Sequence, residues 1–316
     1  MLKWQLQAPD AIVMVRPRAF GFNPETSASN AFQQKGTEGP SIDISATAKK
    51  EFDAFVELIR SHGIEVFDFD EIENANTPDA VFPNNWISTH NDGTVVLYPM
   101  MAPNRRRERR RDILETLTVS HGFAVSRLVD LTTYEMEGRY LEGTGSIIFD
   151  HINHIAYANR SPRTEEKMFY YLCERLTYKP VLFTATDNTG KDIYHTNVLM
   201  TLGDKYAVIC LESIAEDEVD KVVGWLEKTG HEIVDISRSQ MSNFAGNMIQ
   251  LRNDKDEKFL VMSQSAKKCL NETQLKVLEK YNTIIAGNIP TIERFGGGSA
   301  RCMISGVHLP RSKNAN

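Results

Sequence analysis

A cysteine near the end of the sequence has the surroundings of a nucleophile. Cys302 ends the segment Phe295-Gly-Gly-Gly-Ser-Ala-Arg-Cys302. Three consecutive glycines permit close backbone approaches that side chains would block, so the thiol can be presented to a pocket. The adjacent positive charge of Arg301 favours the reactive thiolate. A lone cysteine is more often a buried structural residue, but the glycines and Arg301 together favour a catalytic role.

A cysteine nucleophile needs a partner that takes up and returns protons, and histidine does this near neutral pH. Of the eight histidines, His195 in Ile193-Tyr-His-Thr-Asn197 directly precedes an apolar stretch. Glu142 lies in a Leu-Glu-Gly turn ahead of an apolar segment. By itself His195 could equally be a core histidine, and Glu142 a solvated turn residue. Only the partnership with a nucleophile favours a catalytic role for either.

Short β-branched and aromatic segments predict buried strands, and longer amphipathic segments predict helices. The predicted strands are Ala11–Arg16, Thr94–Tyr98, Ser146–Phe149, Val181–Thr184, Tyr206–Cys210 and Phe259–Met262. The predicted helices are Ala46–His62, Arg105–His121, Thr164–Leu176, Glu216–Thr229 and Glu272–Tyr281.

One pattern of helix, glycine and short strand occurs three times, as SHGIEVFDF, SHGFAVSRL and KTGHEIVDI. Its glycines, Gly63, Gly122 and Gly230, stand where a helix end commonly needs a left-handed residue. The pattern predicts a repeated α/β unit. A plain doubly wound nucleotide-binding sheet is disfavoured because no GxGxxG or GxxxxGK[ST] motif occurs early in the chain.

The overall composition favours a small-molecule partner. The 316 residues carry 42 acidic and 36 basic side chains, a net charge of −6 that gives no general attraction to nucleic acid or to an anionic membrane. No membrane-spanning or signal segment is recognisable, so we expect a cytoplasmic protein. The four cysteines lack the spacing of a zinc site or a disulfide framework, so we expect no metal and reduced thiols.

Two further segments stand out by composition. Phe20–Pro40 is rich in Asn, Ser, Gly and Gln, which predicts a long loop of the kind that often acts as a functional lid. Arg105–Arg111 reads RRRERRR. We interpret this run as a solvated helix face and assign it no function.

The order and separation of three motifs resemble the amidinotransferase and arginine deiminase superfamily, which also contains dimethylarginine dimethylaminohydrolases and citrulline-splitting hydrolases. The motifs are Leu141-Glu142-Gly143, His195-Thr-Asn197 and Gly296-Gly-Gly-Ser-Ala-Arg-Cys302. The resemblance extends from Val15-Arg-Pro to the end of the chain and is strongest to the citrulline-hydrolase branch.

The resemblance implies a single pentein catalytic domain over residues 1–316, in which five ββαβ units form a pseudo-five-fold α/β propeller around a central pocket. It also implies that Cys302 is the nucleophile, His195 the general acid and base, and Glu142 a pocket carboxylate. Arg139 and Arg301 would hold a substrate carboxylate. No cofactor is implied, and a homo-oligomer is left open.

Two positions depart from the deiminase pattern. Asn85 and Asn197 stand where deiminases carry aspartates that grip a guanidinium. A guanidinium offers only donors, whereas an amide complements the mixed donors and acceptor of a neutral ureido group. Burial of a guanidinium against amides would leave its charge uncompensated. The two amides therefore favour citrulline, hydrolysed to ornithine, CO2 and ammonia, although Glu142 keeps a guanidino substrate open.

Other functions remain possible for the same residues. An amine in place of water would make the protein an amidinotransferase, and an arginine deiminase reaction is a related alternative. A non-catalytic binding protein with the same fold is a further alternative, but it has no need for Cys302, His195 and Glu142 together.

Overall fold

The structure is a computed structural model that describes residues 6–35 and 43–312. Part of the predicted loop Phe20–Pro40, namely residues 36–40, lies outside the described residues. Within the described ranges, no helix is long and apolar enough to cross a bilayer. The same residues contain no cluster of three or more His, Cys, Asp or Glu side chains that could hold a metal ion.

In the described part of the chain, fifteen strands form five sheets of three strands each. The strands are β1 Ala11–Arg16, β2 Glu65–Asp70, β3 Ile87–Thr89, β4 Thr94–Leu97, β5 Arg127–Asp130, β6 Ile148–Asp150, β7 Ile155–Asn159, β8 Lys179–Phe183, β9 Met200–Leu202, β10 Tyr206–Ile209, β11 Glu232–Asp235, β12 Ile249–Arg252, β13 Lys258–Ser263, β14 Thr283–Gly287 and β15 Ser305–Val307.

Every sheet has the same plan, in which the middle strand pairs antiparallel on one side and parallel on the other. In the first sheet, β1 is antiparallel to β15 and parallel to β2. The other four sheets, β3-β4-β5, β6-β7-β8, β9-β10-β11 and β12-β13-β14, repeat this arrangement in chain order. A parallel pair requires a crossover connection, and helices provide it here, so each unit is a ββαβ motif.

The helices, in chain order, are α1 Ile44–Arg60, α2 Arg111–Val119, α3 Gly143–Ser146, α4 Glu166–Leu176, α5 Thr196–Leu199, α6 Glu216–Lys228, α7 Arg238–Ser242, α8 Gln264–Cys269, α9 Glu272–Tyr281 and α10 Pro290–Gly296. Short 3-10 helices span Pro83–Asn85, Pro103–Glu108, Thr132–Glu137 and Leu211–Ser213. The crossovers are made by α1, α2, α4 and α6, and by α8 with α9.

The three repeated glycines occupy equivalent positions, as predicted. Gly63, Gly122 and Gly230 follow α1, α2 and α6 with φ of +80°, +68° and +78°. In the third unit, Thr177 adopts the same left-handed conformation after α4, with φ +60°. The sequence pattern identified the units whose helix ends at a glycine. It did not identify the third unit, where Thr177 stands at the equivalent position.

Two predicted elements differ from the structure. The predicted strand Ser146–Phe149 begins later, because α3 occupies residues 143–146 and packs on the 3-10 helix of Pro83–Asn85. A Cβ atom on Gly143 would lie 2.4 Å from the Asn84 carbonyl oxygen, so this packing requires glycine. The predicted helix Arg105–His121 is interrupted, since its first residues form a 3-10 helix that directs Arg105 inward.

The first strand of each unit, which we call the inner strand, is β3, β6, β9, β12 or β15. Contacts join β3 to β15, β6 to β9 and β9 to β12. The segments that lead into the five inner strands contain Asn85, Glu142, His195, Asn247 and Cys302. Five equivalent segments, one from each unit, thereby supply side chains to the site described next.

Candidate active site

Two amide groups hold the sulfur atom of Cys302. The Nδ2 atoms of Asn197 and Asn247 each donate a hydrogen bond to Sγ at 3.3 Å. The side-chain oxygen of Asn247 accepts from the backbone N–H of Arg301 at 3.1 Å, which fixes the amide so that its NH2 group faces the thiol. Donors aimed at a sulfur atom stabilise the thiolate, the nucleophilic form.

The glycines before Cys302 are required by close contacts. Gly297 ends α10 with φ +64°, and a Cβ atom there would lie 2.6 Å from the Asn30 side chain. At Gly298 a Cβ atom would lie 2.9 Å from the Phe82 ring. Asn30 also donates to the Gly296 carbonyl at 3.3 Å, so the loop that begins at Phe20 packs directly on the nucleophile segment.

His195 and Glu142 form a buried pair, with Nε2 and Oε2 2.9 Å apart. Burial lowers the pKa of His195 to about 4, against the opposing effect of Glu142. Burial alone would raise the pKa of Glu142, but Arg163, His195 and Arg105 together hold it well below its ordinary value. At neutral pH the pair is therefore a neutral imidazole that donates to a carboxylate, and the imidazole can accept a proton.

Two further histidines, His90 and His151, are also buried and uncharged. Burial lowers the pKa of His90 to about 4 and that of His151 well below its ordinary value of 6.5. Such groups take up protons on unfolding in acid, so their contribution to stability is complete above pH 6.5 and is lost as the pH falls toward 4. For His90 the loss is on the order of 3 kcal/mol.

We therefore expect the melting temperature to fall steeply between pH 6.5 and pH 4.5, as measured by thermal unfolding followed by circular dichroism. His90→Gln should make this decline shallower, because an amide does not titrate. His121→Gln, at a partly exposed histidine, is the matched control for the replacement of a histidine with glutamine. A melting temperature that is flat over this range would contradict the assignment of neutral buried imidazoles.

Two arginines lie beside Glu142. Arg163 Nη1 donates to Oε2 of Glu142 at 3.4 Å, and Arg105 Nη1 lies 4.0 Å from the same oxygen. Arg105 also donates to both carboxylate oxygens of Glu108, at 3.0 and 2.9 Å. Both arginine side chains are only 3% exposed. Arg105 Nε also lies 3.8 Å from Asp79, so the two guanidiniums are buried among the carboxylates of Glu142, Glu108 and Asp79.

The orientation of Asn85 is set by Arg105. Arg105 Nη1 donates to Oδ1 of Asn85 at 2.7 Å. Because a guanidinium can only donate, the oxygen of this amide must face it. The Asn85 Nδ2 group is then left buried without a hydrogen-bond partner among the described residues. An unpaired donor is thus buried beside Gly145 and His195, on a residue that lines the cavity.

A small cavity brings these groups together. Its lining residues are Asn30, Asp79, Phe82, Asn85, Arg105, Arg163, Tyr194, His195, Gly296, Gly297, Gly298 and Cys302. Besides Asn85 Nδ2, the Oδ1 atom of Asp79, which lines the cavity, and that of Asn197, next to Cys302, are buried without a partner among the described residues. Unpaired polar atoms around one cavity are the pattern expected of a site for a polar ligand.

The sequence-predicted residues fall into two groups. Cys302, His195 and Asn85 line the cavity. Glu142 contacts His195, and Asn197 contacts Cys302. Arg139 lies elsewhere, paired with Glu165 at 3.1 Å and Glu137 at 3.5 Å. Arg301 projects into a different cavity. The geometry therefore does not support a substrate-binding role for either arginine.

Other residues of the cavity were not predicted. The interpretation of Arg105–Arg111 as a solvated face is wrong for Arg105, which is buried at the cavity wall. Arg163 and Asp79 carried no motif that distinguished them from other charged residues. Asn247 could have been found, because it stands two residues before an inner strand, as Asn85 does in another unit.

A family model described as "N,N dimethylarginine dimethylhydrolase, eukaryotic" matches residues 16–309. The chain belongs to this dimethylarginine dimethylhydrolase family. It is accordingly a hydrolase that acts on non-peptide C–N bonds, with the five-unit α/β fold of the pentein superfamily. No match was found among curated protein sequences.

Solved structures with the family's fold include the arginine dihydrolase ArgZ of the ornithine-ammonia cycle in Cyanobacteria. Its similarity has a TM-score of 0.72 at 18% identity, over 97% of this chain and 42% of ArgZ, so the chain spans less than half of that protein. AgrE bound to L-arginine is similar with a TM-score of 0.73 at 15% identity, over 96% of this chain and 41% of AgrE. A dimethylarginine dimethylaminohydrolase adduct with S-methyl-L-thiocitrulline is similar with a TM-score of 0.64 at 14% identity, over 94% of this chain and 99% of that protein.

Cys302, which lines the cavity, is expected to react with a thiol reagent before the other cysteines. Burial raises the pKa of Cys173 to about 12, that of Cys269 to about 11 and that of Cys210 above its ordinary value, so these thiols are poor nucleophiles. We expect iodoacetamide at neutral pH to label Cys302 before the other three, as measured by peptide mass spectrometry, with activity lost in parallel. Equal labelling of all four thiols would contradict a special role for Cys302.

Proposed function

We propose that this protein hydrolyses the ureido group of citrulline, giving ornithine, CO2 and ammonia through an S-linked intermediate on Cys302. The observation that carries the proposal is the orientation of Asn85. Its NH2 group is buried beside Gly145 without a hydrogen-bond partner among the described residues, while its oxygen is occupied by Arg105. A free donor complements the carbonyl oxygen of a ureido group and opposes the NH2 groups of a guanidinium.

The ion pairs that Glu142 already makes support a neutral reacting group. Arg105 and Arg163 are permanently positive, and His195 is neutral at pH 7 because burial lowers its pKa to about 4. Glu142 is already in contact with both arginines and with His195. A guanidinium would bring a further positive charge into this buried region, whereas a ureido group brings none.

The amino acid end of the substrate has its own candidate partners. A guanidinium side chain of the wall, Arg163 or Arg105, can pair with an α-carboxylate. Asp79 Oδ1 is buried and has no partner among the described residues, so it can accept from an α-ammonium group or from a ureido N–H. These partners replace Arg139 and Arg301 in the proposal.

The proposed reaction begins when the Cys302 thiol transfers its proton to His195 and the thiolate attacks the ureido carbon. Glu142, hydrogen-bonded to Nε2, stabilises the imidazolium that forms. His195 then gives the proton to the δ-nitrogen as its C–N bond breaks, which releases ornithine and leaves an S-carbamoyl cysteine. Water attacks this thioester-like carbon and loses a proton to His195. That proton returns to the sulfur as carbamic acid leaves and decomposes to CO2 and ammonia.

Arginine is the second candidate substrate. The carboxylates of Asp79 and Glu142 both contribute negative charge at the cavity, which is the feature that favours a guanidinium. An arginine-hydrolysing or deiminating enzyme would use the same nucleophile and the same histidine.

A substrate panel tests the proposal directly. Purified protein is incubated with citrulline, arginine, methylated arginines or agmatine, and ornithine, citrulline and ammonia are measured. We expect citrulline to have the highest kcat/KM, with one ammonia released for each ornithine. Preference for arginine or a methylarginine would overturn the citrulline assignment. Ornithine without matching ammonia would indicate transfer to an acceptor, and no turnover of any compound would support a binding protein.

A further inference from the structure

A second cavity lies along the inner strands, beside Arg301. All five inner strands contribute to its walls. Their contributions are Thr89 from β3, Ile148 and Phe149 from β6, Thr201 and Leu202 from β9, Ile249 and Gln250 from β12, and Ser305 and Gly306 from β15. Cys302 and the other catalytic candidates are absent from the lining of this cavity. It is therefore separate from the candidate active site.

Arg301 supplies the charge of this cavity. Its backbone N–H is held by Asn247, and its guanidinium Nη1 donates to the Ile304 carbonyl at 2.8 Å. Within residues 6–35 and 43–312, no carboxylate lies within ion-pair distance of it. Burial lowers its pKa to about 10, so the guanidinium remains charged at neutral pH. A partly buried cation without a counterion is costly to maintain unless an anion completes the site.

The remaining walls do not neutralise that charge. None of the described lining residues is an Asp or a Glu. The two lining histidines, His151 and His308, stack with ring centroids 4.0 Å apart. Burial and nearby positive charges, including Arg301, lower the pKa of both, so both are neutral at pH 7. The polar groups that remain are hydroxyls and amides, which can donate to an anion.

We propose that this cavity is a second binding site, specific for a small monocarboxylate that carries no amino group. One guanidinium matches one carboxylate. Phe149, Leu202 and Met248 offer apolar surface to a short hydrocarbon body. An amino group would find no carboxylate in the lining, which excludes zwitterionic amino acids such as the proposed substrate. A phosphate dianion would bring one negative charge too many for Arg301 to neutralise.

Butyrate is a suitable probe, and its binding to the full chain can be measured by isothermal titration calorimetry. We expect saturable binding to the wild-type protein and no comparable binding of inorganic phosphate or butylammonium. Arg301→Gln should weaken butyrate binding by roughly tenfold to hundredfold, the usual effect of losing a charge-assisted hydrogen bond. Arg163→Gln, which alters the active-site cavity, and Arg139→Gln, which alters neither cavity, should bind butyrate like the wild type.

A crystallographic measurement locates the ligand without any variant. Wild-type crystals soaked in 4-bromobutyrate should show an anomalous bromine peak in the cavity beside Arg301. The proposal is overturned if butyrate does not bind saturably, if Arg163→Gln abolishes binding while Arg301→Gln does not, or if the bromine lies in the Cys302 cavity. Tighter binding of phosphate than of butyrate would also overturn it.

Discussion

Replacement of Cys302 with serine is expected to lower kcat by roughly 10⁴-fold or more while the protein still binds its substrate. A serine hydroxyl has nearly the same size but does not ionise near neutral pH, so it cannot supply the nucleophile that the two amide donors of Asn197 and Asn247 stabilise. Stopped or continuous assay of ammonia release gives kcat, and calorimetric titration with citrulline gives Kd.

Cys269→Ser is the matched control, because this partly exposed cysteine lies outside the Cys302 cavity and bonds to the Ala266 carbonyl. It should leave kcat and KM unchanged. A Cys302→Ser variant that retains substantial turnover would exclude covalent catalysis by this residue. Loss of binding together with turnover would mean that the substitution disturbs the site as a whole.

Asn85→Asp is expected to reduce kcat/KM for citrulline by roughly 10²–10³-fold, the usual loss when one donor to a developing negative charge is removed. The second carboxylate oxygen would replace the free NH2 group and repel the ureido oxygen. The same carboxylate would attract a guanidinium, so kcat/KM for arginine should rise. Steady-state kinetics with both substrates measures the two changes.

Asn85→Ala separates the lost donor from the added charge. It should also lower citrulline turnover, because the donor is removed, but it should not improve arginine turnover. If Asn85→Asp leaves the ratio of the two kcat/KM values unchanged, the amide does not select the substrate. The Cys302, His195 and Glu142 proposal would stand independently of that result.

The residues that could be predicted from the sequence are those whose neighbours restrict them strongly. Cys302 follows a glycine triplet that only close packing explains, and the helix-ending glycines show the repeated unit because L side chains rarely adopt positive φ. Arg105 was misread because charge patterning assumes a regular helix, whereas a 3-10 turn directs this side chain inward. Asp79 and Arg163 come to the cavity from loops, where no periodicity indicates which way a side chain points.

Arg301 illustrates a second limit of sequence reasoning. It is adjacent to the nucleophile in the chain, and the family resemblance implied that it holds a substrate carboxylate in the same pocket. In the structure the two side chains line different cavities. Neighbouring residues in a tight turn can face opposite ways, and the local sequence does not say which side a substrate occupies.

The antiparallel partner of β1 is β15, with Ala11 opposite Val307, so the first unit stays unfinished until almost the whole described chain has left the ribosome. Cys302 stands just before β15 and is synthesised together with the strand that completes the fold. A nascent or prematurely terminated chain therefore has neither a complete first sheet nor a nucleophile. The order of synthesis itself leaves unfinished copies without the proposed nucleophile, because Cys302 is added only when nearly all the residues that line its cavity have been made.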